Sequence, residues 1–209
     1  MKHTGEVVYL VDDDPRVREA LSELLASLGI EHLTFGSAEE YLAFVRSDVC
    51  ACLVLDVHLP ELSGLDLQQQ LASGPSPPII FISGRGDIPT TVRAMRAGAI
   101  EFLTKPIDPK ALLPAIRAAF SEDLERRRKW AELEGLQRRF ALLTPREREV
   151  LPLIAGGMLN KQAAAFLGIT EVTVQVHRGQ IMRKMEAGSF AELVRMAEKL
   201  GIGTPDGAL

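Results

Sequence analysis

The sequence predicts a five-stranded, parallel, doubly wound α/β domain, then a long helix, then a small all-α domain. Between residues 7 and 120, short apolar runs alternate with segments of helical spacing. Three of these runs are hydrophobic throughout rather than at every second position, which indicates strands buried on both faces. After residue 140 only helical patterns remain. Alternating strands and helices followed by helices alone predict two domains of different class.

The first domain is predicted to contain five strands, each followed by a helix. The strands are predicted at 7–11, 32–35, 52–55, 78–82 and 100–103. The helices are predicted near 15–28, 37–46, 62–73 and 88–97, with a last one beginning at Asp108. Asp14 before Pro15 is the N-cap of the first helix, because Asp accepts from free backbone N–H groups and Pro suits the first turn.

The last of these helices is predicted to continue as a linker. Residues 121–139, SEDLERRRKWAELEGLQRR, are charge-dense and carry no turn signal before Gly135. A flexible hinge is the alternative interpretation. Pro114, six positions into the helix, predicts a kink because it lacks an N–H and its ring crowds the preceding turn.

The second domain begins with a capping box, formed by Thr144 and Glu147 around Pro145. Pro152 predicts a bend in this first helix. Three short helices follow, near 160–167, 171–185 and 189–200. The resulting domain boundaries are 1–120 for the α/β domain, 121–139 for the helical linker, 140–200 for the all-α domain and 201–209 for a flexible tail.

Charge and cysteine usage narrow the class of protein. The 209 residues carry a net charge of −4, distributed as −6 over residues 1–120 and +2 over residues 121–209. This asymmetry indicates two domains with different partners. Cys50 and Cys52 fit neither a disulfide framework nor a zinc site. The chain has no signal-peptide layout and no apolar run of membrane-span length, so a cytoplasmic protein without a membrane partner is expected.

Five polar side chains follow the predicted strands and should meet at one edge of the sheet. They are Asp12, Asp13, Asp56, Ser83 and Lys105. Each alone has an ordinary explanation as a cap, a turn residue or a solvated lysine. However, two carboxylates about 5 Å apart repel by roughly 3 kcal/mol at an effective dielectric constant near 20, which calls for a compensating cation.

This set of side chains suits phosphoryl transfer. Clustered carboxylates are the oxygen ligands that Mg²⁺ (or Mn²⁺) prefers, and Asp56 on the central strand can attack phosphorus. The metal and Lys105 would neutralise the transferring group, and the Ser83 hydroxyl could donate to a phosphoryl oxygen.

The motifs VDDDP, LVLDVHLPELSG and FISGRGDIPTTVRAMRAGAIEFLTKP resemble the receiver domains of bacterial two-component response regulators, which have a flavodoxin-like (CheY-like) fold. The resemblance implies that Asp56 accepts phosphate from a sensor histidine kinase. It also implies a set of metal ligands, namely Asp12 (through water), Asp13, Asp56 and the backbone carbonyl of His58.

The same resemblance implies a switch. Ser83 would move towards the phosphate while Phe102 swings inward, which changes the surface formed by the fourth helix, the fifth strand and the fifth helix. It implies a cis peptide bond between Lys105 and Pro106, which is plausible because X-Pro bonds adopt cis at little cost. His58 and Arg85 occupy positions that tune phosphate lifetime in this family.

The segment NKQAAAFLGITEVTVQVHRGQIMRKM reads as helix, turn, helix. Gly168 can end the first helix in the left-handed region, and Thr170 caps the second. One face of the second helix exposes two valines and an interior glycine, which is odd for a solvated face but suits a helix in a DNA major groove. That face consists of Val172, Gln175, Val176, Gly179 and Arg183. Lys161, Arg178, Arg183 and Lys184 are candidate phosphate contacts. A small helical bundle that binds protein is the alternative.

Residues 140–200 resemble the LuxR-type helix-turn-helix domain of FixJ- and NarL-like regulators, and the receiver motifs place the chain nearer the FixJ type. The resemblance implies that six residues face DNA, namely Lys161, Thr173, Gln175, Val176, Arg178 and Gly179. Some relatives carry Lys at the positions of Gln175 and Gly179, which suggests that this chain prefers a different DNA sequence.

Together these observations predict a transcription regulator that is not an enzyme. Phosphorylation would promote a homodimer that binds promoter DNA and acts on RNA polymerase. One alternative is a phosphohydrolase with Asp56 as nucleophile, although the usual signature has a second Asp where this chain has His58. Another is a DNA-binding regulator that is independent of phosphorylation.

Overall fold

The computed structural model describes residues 5–46, 48–72, 76–84 and 87–203. Arg85 and the last six residues of the predicted tail lie outside the described residues. The chain forms two compact units, Met1–Arg127 and Arg128–Leu209.

The first unit is a five-stranded parallel sheet in the order β2-β1-β3-β4-β5, so the predicted fold class is confirmed. Its strands are β1 (Glu6–Val11), β2 (Glu31–Phe35), β3 (Cys50–Asp56), β4 (Ile79–Ser83) and β5 (Glu101–Thr104). Its helices are α1 (Pro15–Ser27), α2 (Ala38–Ala43), α3 (Gly64–Leu71), α4 (Ile88–Arg96) and the first part of α5 (Pro109–Ala141), whose residues after Arg127 belong to the second unit.

Helices cover both faces of this sheet, which explains the continuous hydrophobicity of its strands. On β3, Leu53 and Leu55 belong to a core cluster with residues of α2, α3 and α4. Val54 and Cys52, which point to the opposite face, pack with residues of α1 and α5. Because side chains alternate across a strand, a strand with both faces covered must be apolar at every position. The parallel strands end at one edge, where the polar side chains lie.

The helix α5 extends without interruption from Pro109 to Ala141, past Pro114. Its middle is attached to the first unit: Asp123 is buried and accepts hydrogen bonds from the Ala51 N–H (3.0 Å) and from Arg127 Nε (2.7 Å). The predicted linker segment is therefore helical, and its first turns pack against the sheet rather than lying free.

The second unit contains α6 (Pro145–Ala155), α7 (Asn160–Leu167), α8 (Glu171–Met185) and α9 (Phe190–Lys199). Its core includes Val150, Ile154, Val174, Ile181 and Leu193. The capping box at the start of α6 is present, and α6 continues past Pro152. The turn between α7 and α8 uses Gly168 at φ 64° and a Thr170 cap, as expected. Within the described residues, none of the helices combines the length and apolar character of a membrane span.

Candidate functional site

Three carboxylates converge where β1 and β3 end. One oxygen each from Asp12, Asp13 and Asp56 lies within 4.8 Å of the others. The two strands are hydrogen-bonded neighbours with Val11 opposite Leu55, so the residues that follow emerge side by side. Asp12 and Asp56 are buried and Asp13 is exposed. The cluster is thus closed by protein on one side and accessible from solvent on the other.

Lys105 supplies positive charge to this cluster. Its Nζ lies 2.6 Å from Asp12 Oδ2 and 2.6 Å from Asp56 Oδ2. The Lys105–Pro106 peptide bond is cis. Burial alone would lower the pKa of Lys105, but the two carboxylates outweigh it and hold that pKa above its ordinary value. Burial raises the pKa of Asp12, although the Lys105 ammonium and the Asp14 N–H act in the opposite direction.

One ammonium facing three carboxylates leaves the cluster short of positive charge. The donors are all hard oxygens, the set that Mg²⁺ and Mn²⁺ prefer, and one side is accessible to the water ligands that Mg²⁺ retains. The cluster is consistent with binding of a divalent cation by Asp12, Asp13 and Asp56.

Ser83 and His58 adjoin the Asp56 carboxylate. The His58 backbone N–H donates to Asp56 Oδ1 (3.0 Å), and the His58 ring Nδ1 lies 3.3 Å from Ser83 Oγ. Ser83 is fully buried at the end of β4, two strands from Asp12. Thus four of the five strand-end side chains expected at this edge are connected: Lys105 joins Asp12 to Asp56, and His58 joins Asp56 to Ser83.

Phe102 lies on β5, outside the acidic cluster. Its half-buried ring packs against the core, with its centroid 6.3 Å from that of Phe81. The inward movement of this ring on phosphorylation stays a prediction.

Two residues next to the cluster were not recognised from the sequence. Gly64, the first residue of α3, approaches the end of β3 so closely that a Cβ there would lie 2.1 Å from the Asp56 carbonyl oxygen. Arg18 donates from Nη1 to the carbonyl oxygens of Asp12 (2.6 Å) and Asp13 (3.0 Å). The glycine lies in a quoted motif, whereas no pattern in the sequence distinguishes Arg18 from other helical arginines.

In the second unit, three of the residues expected to face DNA are exposed along α8, namely Gln175, Val176 and Gly179. Val172 and Val176 are 70% and 58% exposed. A Cβ at Gly179 would meet no atom within 4 Å. The chain's own packing therefore gives no reason for these apolar and glycine positions.

The other expected contacts lie in different surroundings. Lys161 is exposed at the second position of α7, and Arg183 is exposed but donates to Gln180 Oε1 (2.8 Å). Thr173 is half-buried, and its hydroxyl lies 2.8 Å from that of the capping Thr170.

Arg178 is half-buried and lies between the buried stripe and the exposed face of α8. It lies one turn after the buried Val174, and its guanidinium stacks 3.8 Å from the centroid of the Phe190 ring. Arg178 and Lys161 line one cleft of about 400 Å³. A phosphate contact from the flank of α8 stays a prediction.

Lys184 is engaged elsewhere. Its Nζ lies 2.6 Å from Oε2 of the buried Glu147, the same oxygen that accepts the Thr144 N–H in the capping box. The ion pair compensates a buried carboxylate, so this ammonium, expected as a phosphate contact, is held within the unit instead.

Comparison with known proteins gives a consistent result for both units. The family model for the response regulator receiver domain matches residues 8–117, and that for bacterial regulatory proteins of the luxR family matches residues 141–197. The chain is 50% identical to nodulation protein W of Bradyrhizobium diazoefficiens, covering 95% of this chain and 88% of that protein. It is 41% identical to the transcriptional regulatory protein FixJ of Azorhizobium caulinodans, covering 96% of each.

The solved structure of the response regulator StyR has 48% sequence identity and a TM-score of 0.78, covering 93% of this chain and 98% of that one. These relatives are regulators of transcription rather than typical enzymes. The chain therefore belongs to the response regulators of two-component systems, in the group that joins a receiver domain to a LuxR-type helix-turn-helix domain.

Proposed function

We propose that Asp56 is the phosphoacceptor of this response regulator and that a sensor histidine kinase is the donor. The N–P bond of the kinase phosphohistidine breaks, and a bond forms between phosphorus and an Asp56 carboxylate oxygen. The observation that carries this proposal is the convergence of three carboxylates and Lys105 at one edge of the sheet. Such a site binds a cation and leaves one carboxylate as nucleophile.

In this proposal Asp12, Asp13, Asp56 and the backbone carbonyl of His58 hold Mg²⁺ or Mn²⁺. The cation supplies charge neutralisation for the phosphoryl oxygens. Lys105 is already within 2.6 Å of Asp56 and neutralises the same oxygens from the protein side. Both effects lower the barrier to placing a dianionic group beside carboxylates.

The phosphoryl group then biases a switch. The Ser83 hydroxyl, now 3.3 Å from the His58 ring, donates to a phosphoryl oxygen instead, and Phe102 moves inward. The surface formed by α4, β5 and the first turns of α5 changes, and two receivers pair into a homodimer. The switch is a population shift, because the phosphoryl group contacts one conformation better than the other.

The second unit then reads promoter DNA with α8 in the major groove. Gln175 can pair with an adenine edge, Val176 can contact a thymine methyl, and Gly179 permits close approach. Lys161, Thr173, Arg178 and Arg183 contact phosphates or flank the groove. The exposed valines and the open space above Gly179 support this orientation. A dimer bound to two half-sites would act on RNA polymerase in the cytoplasm, with no membrane partner.

The domain boundaries follow the same proposal. Residues 1–120 form the receiver, residues 121–139 form the helical linker, residues 140–200 bind DNA, and residues 201–209 form a flexible tail. The contact of Asp123 with Ala51 extends the attachment of the linker beyond residue 120.

The phosphoacceptor is tested by exposing the full chain to a small-molecule phosphoryl donor such as acetyl phosphate, with and without Mg²⁺. Asp56→Asn should abolish phosphorylation, dimerisation on sedimentation and the gain in DNA affinity. Glu39→Gln, which removes a carboxylate from the exposed surface of α2, is the matched control and should behave as the wild type. Equal DNA binding by wild type and Asp56→Asn in the presence of donor would overturn the proposal.

Base reading is tested separately, after selection of the preferred site from random DNA. Gln175→Ala should cost about 1–3 kcal/mol on that site and relax the preference at one position in each half-site. An equal loss on preferred and random DNA would show that Gln175 contributes no base discrimination.

A further inference from the structure

The Arg18 side chain of α1 holds the backbone of the loop that carries Asp12 and Asp13. Arg18 Nη1 donates to the Asp12 carbonyl oxygen at 2.6 Å and to the Asp13 carbonyl oxygen at 3.0 Å. Arg18 lies one turn into α1, which begins at Pro15. The same guanidinium nitrogen therefore fixes two successive peptide groups at the point where β1 ends.

This loop needs such a tie because its carboxylates repel one another. The carboxylate oxygens lie within 4.8 Å of one another, a separation at which ionised carboxylates repel, and Lys105 offsets only part of this repulsion. Without a restraint, the exposed Asp13 could relieve the repulsion by turning into solvent. The Asp12 side chain is restrained in addition, because its Oδ1 accepts the Asp14 N–H at 3.0 Å.

We propose that Arg18 is a positioning residue for the divalent-cation site. By holding both carbonyl oxygens, it keeps the Asp12 and Asp13 carboxylates directed at the position that the cation occupies beside Asp56. The inference rests on the proposed metal site and adds a residue that does not itself bind the metal. Side chains that orient metal ligands typically change metal affinity by about 10–100-fold when they are removed.

The sign of the change in metal affinity distinguishes a positioning role of Arg18 from a purely electrostatic one. A guanidinium close to the site repels a divalent cation, so loss of its charge alone should strengthen metal binding. Loss of the two carbonyl contacts should weaken metal binding, because the carboxylates must then be ordered by the metal itself. The two explanations predict changes of opposite sign for one substitution.

The experiment measures Mn²⁺ binding to the unphosphorylated full-length protein by electron paramagnetic resonance at constant ionic strength. Arg18→Gln, whose amide ends two bonds earlier and cannot reach both carbonyls, should weaken Mn²⁺ binding about 10-fold. Arg18→Lys keeps the charge but lacks the guanidinium fork and should give a smaller loss. Arg16→Gln is the matched control, because Arg16 lies on the same helix, its side chain is 89% exposed, and it forms its ion pair with the Asp14 carboxylate. It should bind Mn²⁺ as the wild type does or slightly more tightly.

A second readout requires no metal. Hydrogen exchange of the Asp14 amide, which is bonded to Asp12 Oδ1, should accelerate in Arg18→Gln and stay unchanged in Arg16→Gln. Circular dichroism and urea unfolding check that the variants are folded; if Arg18→Gln is not, Arg18→Lys carries the test. Unchanged or tighter Mn²⁺ binding by the folded Arg18 variant overturns the inference alone. Absence of Mn²⁺ binding by the wild type overturns the metal site itself and the inference with it.

Discussion

The buried Asp123 offers a quantitative test of how α5 is attached to the first unit. Its Oδ2 accepts from both the Ala51 N–H and Arg127 Nε, and the side chain is 7% exposed. Ala51 stands near the start of β3 and is itself buried. Asp123→Ala would therefore leave a buried backbone N–H without its acceptor and a half-buried guanidinium without its main partner.

The expected loss of stability is about 1–4 kcal/mol. An unsatisfied buried donor costs about 1–3 kcal/mol. The ion pair adds about 1 kcal/mol or less, because the Arg127 side chain is 36% exposed and solvent screens the interaction. Asp123→Asn should lose much less, since an amide oxygen in the place of Oδ2 can still accept both hydrogen bonds.

The assay is native-state hydrogen exchange of the Ala51 amide, supported by urea unfolding. Protection of that amide should fall by about 5- to 1000-fold in Asp123→Ala, the equivalent of about 1–4 kcal/mol at about 1.4 kcal/mol per factor of ten. Asp48→Asn is the control, because Asp48 is the fully exposed second partner of Arg127 and should change protection little. Unchanged protection in Asp123→Ala would refute the reasoning that α5 is anchored through this carboxylate.

Three further predictions concern other parts of the chain. Burial opposes ionisation of Glu147, but Lys184 and the hydrogen bonds from Thr144 together outweigh it and lower the pKa of Glu147 below its ordinary value of 4.5. The stability that the Glu147–Lys184 pair contributes should therefore be present above pH 4.5 and lost as the pH falls through the lower pKa of Glu147 in the folded protein. In urea titrations, the free energy of unfolding of Glu147→Gln should fall less steeply at acidic pH than that of the wild type. Gly64→Ala should destabilise the protein and slow phosphorylation by a small-molecule donor, because its Cβ would collide with the Asp56 carbonyl oxygen; wild-type unfolding and phosphorylation rates would contradict this. Burial raises the pKa of Cys50 to about 11, so a disulfide reagent at neutral pH should label it about 100-fold more slowly than it labels the urea-unfolded chain; equal rates would contradict this.

The sequence predicts well the features that arise from local pattern and from parallel topology. Apolar runs such as 52–55 identify buried strands, and parallel order then brings the residues that follow them to one edge. For this reason Asp12 and Asp56 could be paired from sequence although they are 44 positions apart. The capping box at Thr144 and the left-handed conformation of Gly168 could equally be predicted, because each depends on neighbours within four residues.

Contacts between side chains that are distant in sequence could not be predicted. Asp123 lies in a charge-dense segment that looks fully solvated, and its acceptor role depends on Ala51, 72 positions earlier. Lys184 resembled a surface phosphate contact until its carboxylate partner, 37 positions away, was located. The stacking of Arg178 on the Phe190 ring likewise joins residues 12 positions apart, and its expected phosphate contact stays a prediction. Charge and spacing alone cannot tell a solvated cation from one that compensates a buried group.

The two candidate sites share a physical property: each contains residues that lower the stability of the folded chain. In the first unit, Asp12 is buried beside two further carboxylates, and the unfavourable desolvation of its charged form raises its pKa. In the second unit, α8 exposes Val172 and Val176 and keeps Gly179 in its interior, where glycine costs about 1 kcal/mol relative to alanine. No neighbouring atom demands that glycine. Sequences usually satisfy local preferences where folding is the sole constraint. The departures at these two places are what the proposed contacts would explain, with a cation and phosphoryl group at one and with DNA at the other.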